Sequence, residues 1–424
     1  MTIIENPERS SWLSITERPV NDQFAFHEKV LAIINEVKAK GDEAVQNFTR
    51  QFDGIDIAQF RVTPDEINAA NAAISPALKD AIQIAAENIR KFHLTQLQEA
   101  PIVETMPGIR CWRKAVGIEK VGLYIPGGSA PLFSTILMLG IPAAIAGCNE
   151  IVLCSPPNQE GTLHPAIIYA AQEVGIKQIF KIGGVQAIAA MAFGTATVPA
   201  VYKIFGPGNQ YVTAAKQMVQ LHGVAIDMPA GPSEVCVFAD DAAVPAYVAA
   251  DLLSQAEHGA DSQVLLVSTS LKLINAVNDC LAEQLAQLPR HEIAAMALNN
   301  SRSVLVQHLD DAIDLVNAYA AEHLILACDQ AEAVASRIIN AGSVFIGNYS
   351  PEAVGDYASG TNHTLPTNAY ARMYSGVSLD SFVKKITFQQ LTKAGLQAIS
   401  TTVETMAEAE GLAAHAEAVR IRLK

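Results

Sequence analysis

From residue 119 onward the chain repeats one unit: a short apolar run, a turn rich in glycine or proline, then a longer amphipathic segment. This alternation means a parallel sheet, since parallel neighbours need a crossover long enough to return to the same edge, and a helix supplies it. A first series predicts strands at 120–125, 150–154, 178–182 and 201–205, with helices around 132–145, 164–174, 186–191 and 209–221. A second predicts strands at 235–239, 263–267, 303–306, 323–326 and 343–346, with helices such as 246–258 and 310–318. Two series mean two Rossmann-like α/β lobes, and 424 residues exceed what one hydrophobic core organises.

One stretch imitates a membrane span. Residues 121–149 carry no charge, which is long enough to cross a bilayer. Pro126, Gly127, Gly128, Pro131, Gly140 and Pro142 interrupt it, more breaks than a spanning helix tolerates. A buried strand, a turn and a buried helix fit instead, and 182–202 reads the same way. No membrane association is expected.

The flanks differ. The first hundred residues read as helical. Val30, Ile33, Ile34 and Val37 recur at helical spacing before Gly41, and Thr63, Pro64 and Glu66 spell a capping box. A further helix is expected over 76–97. The residues from Leu379 onward read as a helical arm too short to bury a core of its own. The fold class is therefore α/β, two parallel-sheet lobes with an N-terminal helical segment and a C-terminal helical arm.

Composition narrows the function. A net charge of -14 repels phosphate backbones, so nucleic acid is not expected as a partner. Cys111, Cys148, Cys154, Cys236, Cys280 and Cys328 form no CxxC pair, which points to neither a zinc knuckle nor a disulfide framework. The N-terminal MTIIENPERSSW lacks a basic region followed by an apolar one, so the cytoplasm is the expected location.

Candidate site residues fall into two groups. Three glycine turns, Pro126-Gly127-Gly128-Ser129, Gly183-Gly184-Val185-Gln186 and Gly206-Pro207-Gly208-Asn209, each follow a strand and precede a helix. Open α/β sheets bind ligands at such turns, though tight connections look the same and none matches G-x-G-x-x-G. The second group is polar. Residues 227–234 form a Pro- and Gly-dense turn that puts Ser233 at a strand entrance. Gln255 and His258 lie three apart on one helix face, although a histidine there also suits a helix C-terminus. Glu322 and His323 place two potential bases side by side, or else a solvated strand edge. Asp356 and His363 sit in a polar stretch read as a long loop. In the arm, Glu410 and His415 are five apart, so a continuous helix would point them in different directions.

Taken together, the stretches GLYIPGGSAPLFST, KIFGPGN, IDMPAGPSE, DLLSQAEHG, AEHL, AGSVF and DYASGTNHTLPT resemble the histidinol dehydrogenase family, from about Val121 to the end of the arm. The resemblance implies oxidation of L-histidinol to L-histidine through histidinal, with two NAD reduced. It implies one zinc held by Gln255, His258, Asp356 and His415. It assigns acid–base work to Glu322 and His323, and substrate contacts to Ser233, Gln255, His258, His323, Asp356, Glu410 and His415, with His363 nearby. NAD contacts fall at Tyr124, Gln186 and Asn209. It further implies a homodimer whose arm completes the partner's site. The matching domain division is a segment 1–19, a zinc and substrate lobe from 20–123 and 232–378, an NAD lobe at 124–231, and the arm at 379–424. Two rival readings remain open on the residues themselves: a zinc hydrolase with a Glu–His pair, and a non-catalytic binding protein of two lobes.

Overall fold

The computed structural model describes residues 1–18, 26–127, 131–229 and 231–424. Gly128, Ser129 and Ala230, which belong to two of the turns singled out above, lie outside the described residues.

Both parallel sheets form. The first has five strands in the order Gln178–Lys181, Glu150–Ser155, Lys120–Tyr124, Lys203–Phe205, Ala225–Ile226. Helices cover both faces, so alternate side chains of one strand enter different cores. Val152 and Cys154 join the cluster that contains Ile34 and Met191, while Leu153 joins the one that contains Ile89 and Ile136. Burial on both faces is why these strands read as continuous apolar runs rather than alternating ones. The suspect uncharged stretch resolves into the Lys120–Tyr124 strand and the buried Ser134–Ile145 helix. Among the described residues no helix is long and apolar enough to cross a membrane.

The second sheet has six parallel strands in the order Thr2–Glu5, Arg302–Leu305, Gln263–Ser268, Glu234–Ala239, His323–Ala327, Ser343–Ile346. Its first strand corrects the helical reading of the N-terminus. Thr2–Glu5 pairs with Arg302–Leu305, three hundred residues away, where no local signal exposes the partner. The helical reading holds further along: Gly41 ends the His27–Lys40 helix at φ 58°, and the Thr63–Glu66 capping box forms in full.

One more expectation is corrected. The arm is not wholly helical. It opens with the strand Val383–Leu391, antiparallel to Ile109–Gly117, which also pairs with Val103–Met106. Only then come the helices Lys393–Ala409 and Ala413–Arg420, split at Gly411 with φ 75°. Glu410 and His415 therefore do not lie on one continuous helix. The helices within residues 27–94 cover the five-stranded sheet: Val30 and Ile34 in one core, Ile82 and Ile89 in the other.

The two sheets meet in a way that locates the site. Gly206 and Asn209 follow the carboxyl end of a five-stranded-sheet strand. Ser233 and Glu322 precede the amino ends of two adjacent six-stranded-sheet strands. All four line one cleft.

Candidate active site

Three elements deliver the ionisable groups of this cleft. His323 begins a central strand, flanked by Glu322, and its register opposite Val235 keeps it inside the sheet. Both side chains are buried, so the pair is not a solvated strand edge. The Pro245–Ala256 helix, shorter than expected, supplies Gln255, and His258 follows in the turn beyond it, its N–H donating to the Gln255 carbonyl at 3.2 Å. Asp356 stands on a short helix, Glu352–Tyr357, and not in a loop. That helix also brings Glu352 to the site, four residues before Asp356 and therefore on the same face. The sequence reading passed over Glu352, although this spacing was there to find it.

These groups converge. Donor atoms of His258, Glu352 and Asp356 lie within 4.8 Å of one another. His323 Nε2 lies 3.3 Å from Asp356 Oδ1 without the alignment of a hydrogen bond, and neither atom has another partner. His323 Nδ1 faces the Glu234 carbonyl at 3.3 Å. A carbonyl only accepts, so Nδ1 carries a proton and Nε2 is the nitrogen turned to the acidic cluster. Among the described residues no lysine or arginine pairs with Glu322, Glu352 or Asp356.

The electrostatics follow. Burial pushes the Glu322 and Glu352 carboxyls each up to about 8, with nearby His323 opposing the shift. For His323, burial alone would lower the imidazole, but Glu352, Glu322 and Asp356 more than offset it and raise it to about 10. Burial likewise works against Asp356, yet His323 holds it below the usual carboxylate range. His258 is exposed at the rim but loses enough water to lower its imidazole pKa, Asp356 opposing.

Three carboxyls and two imidazoles gather here with no lysine or arginine pairing them among the described residues, a donor set suited to a cation. Nitrogen and carboxylate oxygen are ordinary zinc donors, so Gln255, His258 and Asp356 fit that ion. A cation there would also offset the carboxylates that raise His323. His415 and Glu410 are exposed on the arm, and neither lines the cleft.

His363 links the lobes. Its Nδ1 meets the Asp356 carbonyl at 2.8 Å and its Nε2 meets the Thr135 hydroxyl at 3.0 Å. Burial lowers its pKa, so the ring is neutral, Nδ1 donating and Nε2 accepting. Thr135 went unnoticed in the sequence because nothing local marks it.

A second cavity adjoins the first, sharing Pro126 and Asn209, and it collects the other group of residues. Tyr124, Gly184, Gln186 and Asn209 all line it. The Tyr124 hydroxyl accepts from the Gly184 N–H at 3.0 Å. Gln186 is buried with its Oε1 unpartnered. Asn209 caps the Gln210–Val219 helix by accepting from the N–H groups of Tyr211 and Val212, which leaves its amide NH2 for other partners. The Gly206 turn is held by a lock the sequence did not announce. Lys216 Nζ donates to the Gly206 carbonyl at 2.8 Å, and Asp227 accepts the Gly206 N–H at 2.8 Å and pairs with Lys216 at 2.5 Å. A side chain at 206 would run into the Tyr124 carbonyl, so only glycine fits.

Residues 16–423 match the family model described as histidinol dehydrogenase. The chain belongs to the histidinol dehydrogenase family. It is 58% identical to a histidinol dehydrogenase of Bacteroides thetaiotaomicron across 100% of this chain and 99% of that protein. It is 54% identical to one of Xylella fastidiosa, covering 93% and 92%. A crystal structure of histidinol dehydrogenase from Elizabethkingia anophelis superposes with a TM-score of 0.98 at 55% identity, over 100% of this chain and 98% of that one. Family membership makes the chain an oxidoreductase, which discards the hydrolase and binding-protein readings.

Proposed function

We propose that the chain oxidises L-histidinol to L-histidine by way of histidinal, reducing two NAD to NADH, with one zinc ion per site. The observation that carries this reading is the joining of two cavities at Asn209: one lined by Ser233, His258, Glu322 and His363, the other by Tyr124, Gly184 and Gln186. In this reading the five-stranded lobe, residues 124–231, holds NAD through Tyr124, Gln186 and Asn209. The remaining body, 20–123 and 232–378, holds substrate through Ser233, Gln255, His258, His323, Asp356 and His363. The arm at 379–424 crosses a homodimer to bring Glu410 and His415 to its neighbour, and the reaction runs in the cytoplasm.

The chain's own groups divide the chemistry. His323 Nε2 takes the hydroxyl proton as hydride leaves the alcohol carbon for the nicotinamide, giving the aldehyde, NADH and a proton. Glu322, buried and raised to about 8, activates the water that adds to the aldehyde, and the hydrate yields the second hydride. Gln255, His258, Asp356 and His415 of the partner subunit would hold the zinc, which would supply an anchor for the substrate's imidazole and amine nitrogens. Burial retains the aldehyde, which would otherwise react with free amines.

The test is a stoichiometric assay. Two NADH per L-histidinol, with none from unrelated amino alcohols, is the expected result, and loss of turnover on strong chelation should be reversed by zinc. One NADH per substrate, or full activity without metal, would overturn it.

A further inference from the structure

Gln255 is the odd member of the proposed zinc set, because a side-chain amide has two ends of similar shape and opposite polarity. It is almost wholly buried, so the surroundings must choose between them. One end lies 2.5 Å and 3.3 Å from the two carboxylate oxygens of Glu352, and the other lies 3.0 Å from the N–H of Glu234, which it shares with the Glu322 carboxylate at 2.9 Å. Only one orientation satisfies both contacts: NH2 toward Glu352 and oxygen toward Glu234. The reverse sets oxygen against carboxylate and NH2 against N–H, leaving two buried contacts of like polarity.

We infer that Glu352 is a positioning residue for the metal, fixing the Gln255 amide so that its oxygen serves as a ligand. This rests on the zinc reading above. The amide oxygen has two lone pairs; Glu234 takes one and the other remains for the cation. With its NH2 donated to the Glu352 carboxyl, the amide is held in one orientation, as partners behind a ligand generally achieve. The Glu352 carboxylate is itself buried, has no lysine or arginine partner among the described residues, and shares a helix face with Asp356. One short helix thus provides one ligand and the residue that orients another.

The alternative is that Glu352 is itself a ligand, since its oxygens lie within the donor cluster. A double-substitution cycle separates the two roles. Zinc affinity is measured by competition with a chromophoric chelator on the full-length wild type, Q255A, E352A and the double variant. E352A is expected to weaken zinc by about 10–100-fold, the usual loss for a residue behind a ligand. In the Q255A background E352A should then add nothing, because the group it positions is gone. E352Q, which keeps a carbonyl acceptor but loses the charge, should fall between wild type and E352A. Should E352A not fold, E352Q completes the same cycle. Multiplying losses would make Glu352 a direct ligand and overturn the inference, as would unchanged zinc affinity in both E352A and E352Q. A wild type that binds no zinc would overturn the metal reading, and this inference with it.

Discussion

The Arg18 guanidinium grips the Glu234 carboxylate in two contacts, 3.0 Å from Nε and 2.7 Å from the terminal nitrogen, and lies 3.7 Å over the Tyr319 ring. The backbone of Glu234 is what the Glu322–His323 pair leans on. Its N–H donates to Glu322 at 2.9 Å and its carbonyl faces His323 Nδ1. An N-terminal residue thereby anchors the strand that orients both bases. Removing one partner of a buried pair strands the other charge, so Arg18→Met should cost about 3–5 kcal/mol in urea unfolding. A loss within the range of about 0–1 kcal/mol, as at an exposed pair, would refute the anchoring role.

The two bases should be separable. His323→Asn should chiefly damage alcohol oxidation, because the hydroxyl proton leaves in that half. Glu322→Gln should hurt more with histidinal as substrate, where water must be activated. Losses of about 10²–10⁴-fold are expected for a general base. Equal damage in both half-reactions for both variants would reject this division.

The arm predicts complementation. His323→Asn and His415→Ala chains are each expected to be inactive alone. In a mixed dimer with exchanged arms, one site receives both lesions and the other receives neither. Equal co-expression makes about half of the dimers mixed, so total activity should recover to about a quarter of wild type. Doubly tagged mixed dimers purified to homogeneity and still at mutant background would show that each arm serves its own body.

Stability should depend on Asp251, one helical turn before Gln255. Burial raises this carboxyl to about 7, far above the 3.8 of an ordinary aspartate. The folded state then holds a proton that the unfolded state has released, so its contribution declines as pH rises from about 4 to 7. Asp251→Asn should raise the melting temperature at pH 8 and change it little at pH 4. An equal shift at both pH values would show that ionisation is not the cause.

Sequence pattern alone determined the layered parts of this protein. Strands buried on both faces must be apolar throughout, and crossover helices must carry one apolar stripe, so nine of the eleven described strands of the two parallel sheets were legible to within a few residues, Thr2–Glu5 and Ala225–Ile226 being the exceptions. The Thr63–Glu66 cap was legible for the same reason, since every atom it needs lies within one turn. Gln255, His258, Glu322, His323 and Asp356 were recognisable as residue types suited to chemistry, but their convergence around one helix, Glu352–Tyr357, was not. Tertiary structure alone decided the rest: the Thr2–Glu5 and Val383–Leu391 strands, the Arg18–Glu234 pair, and Glu352 against Gln255. Each rests on a contact between distant parts of the chain. A strand edge or a buried carboxylate leaves no periodic mark of its own, because its partner is chosen by the packing of the sheets.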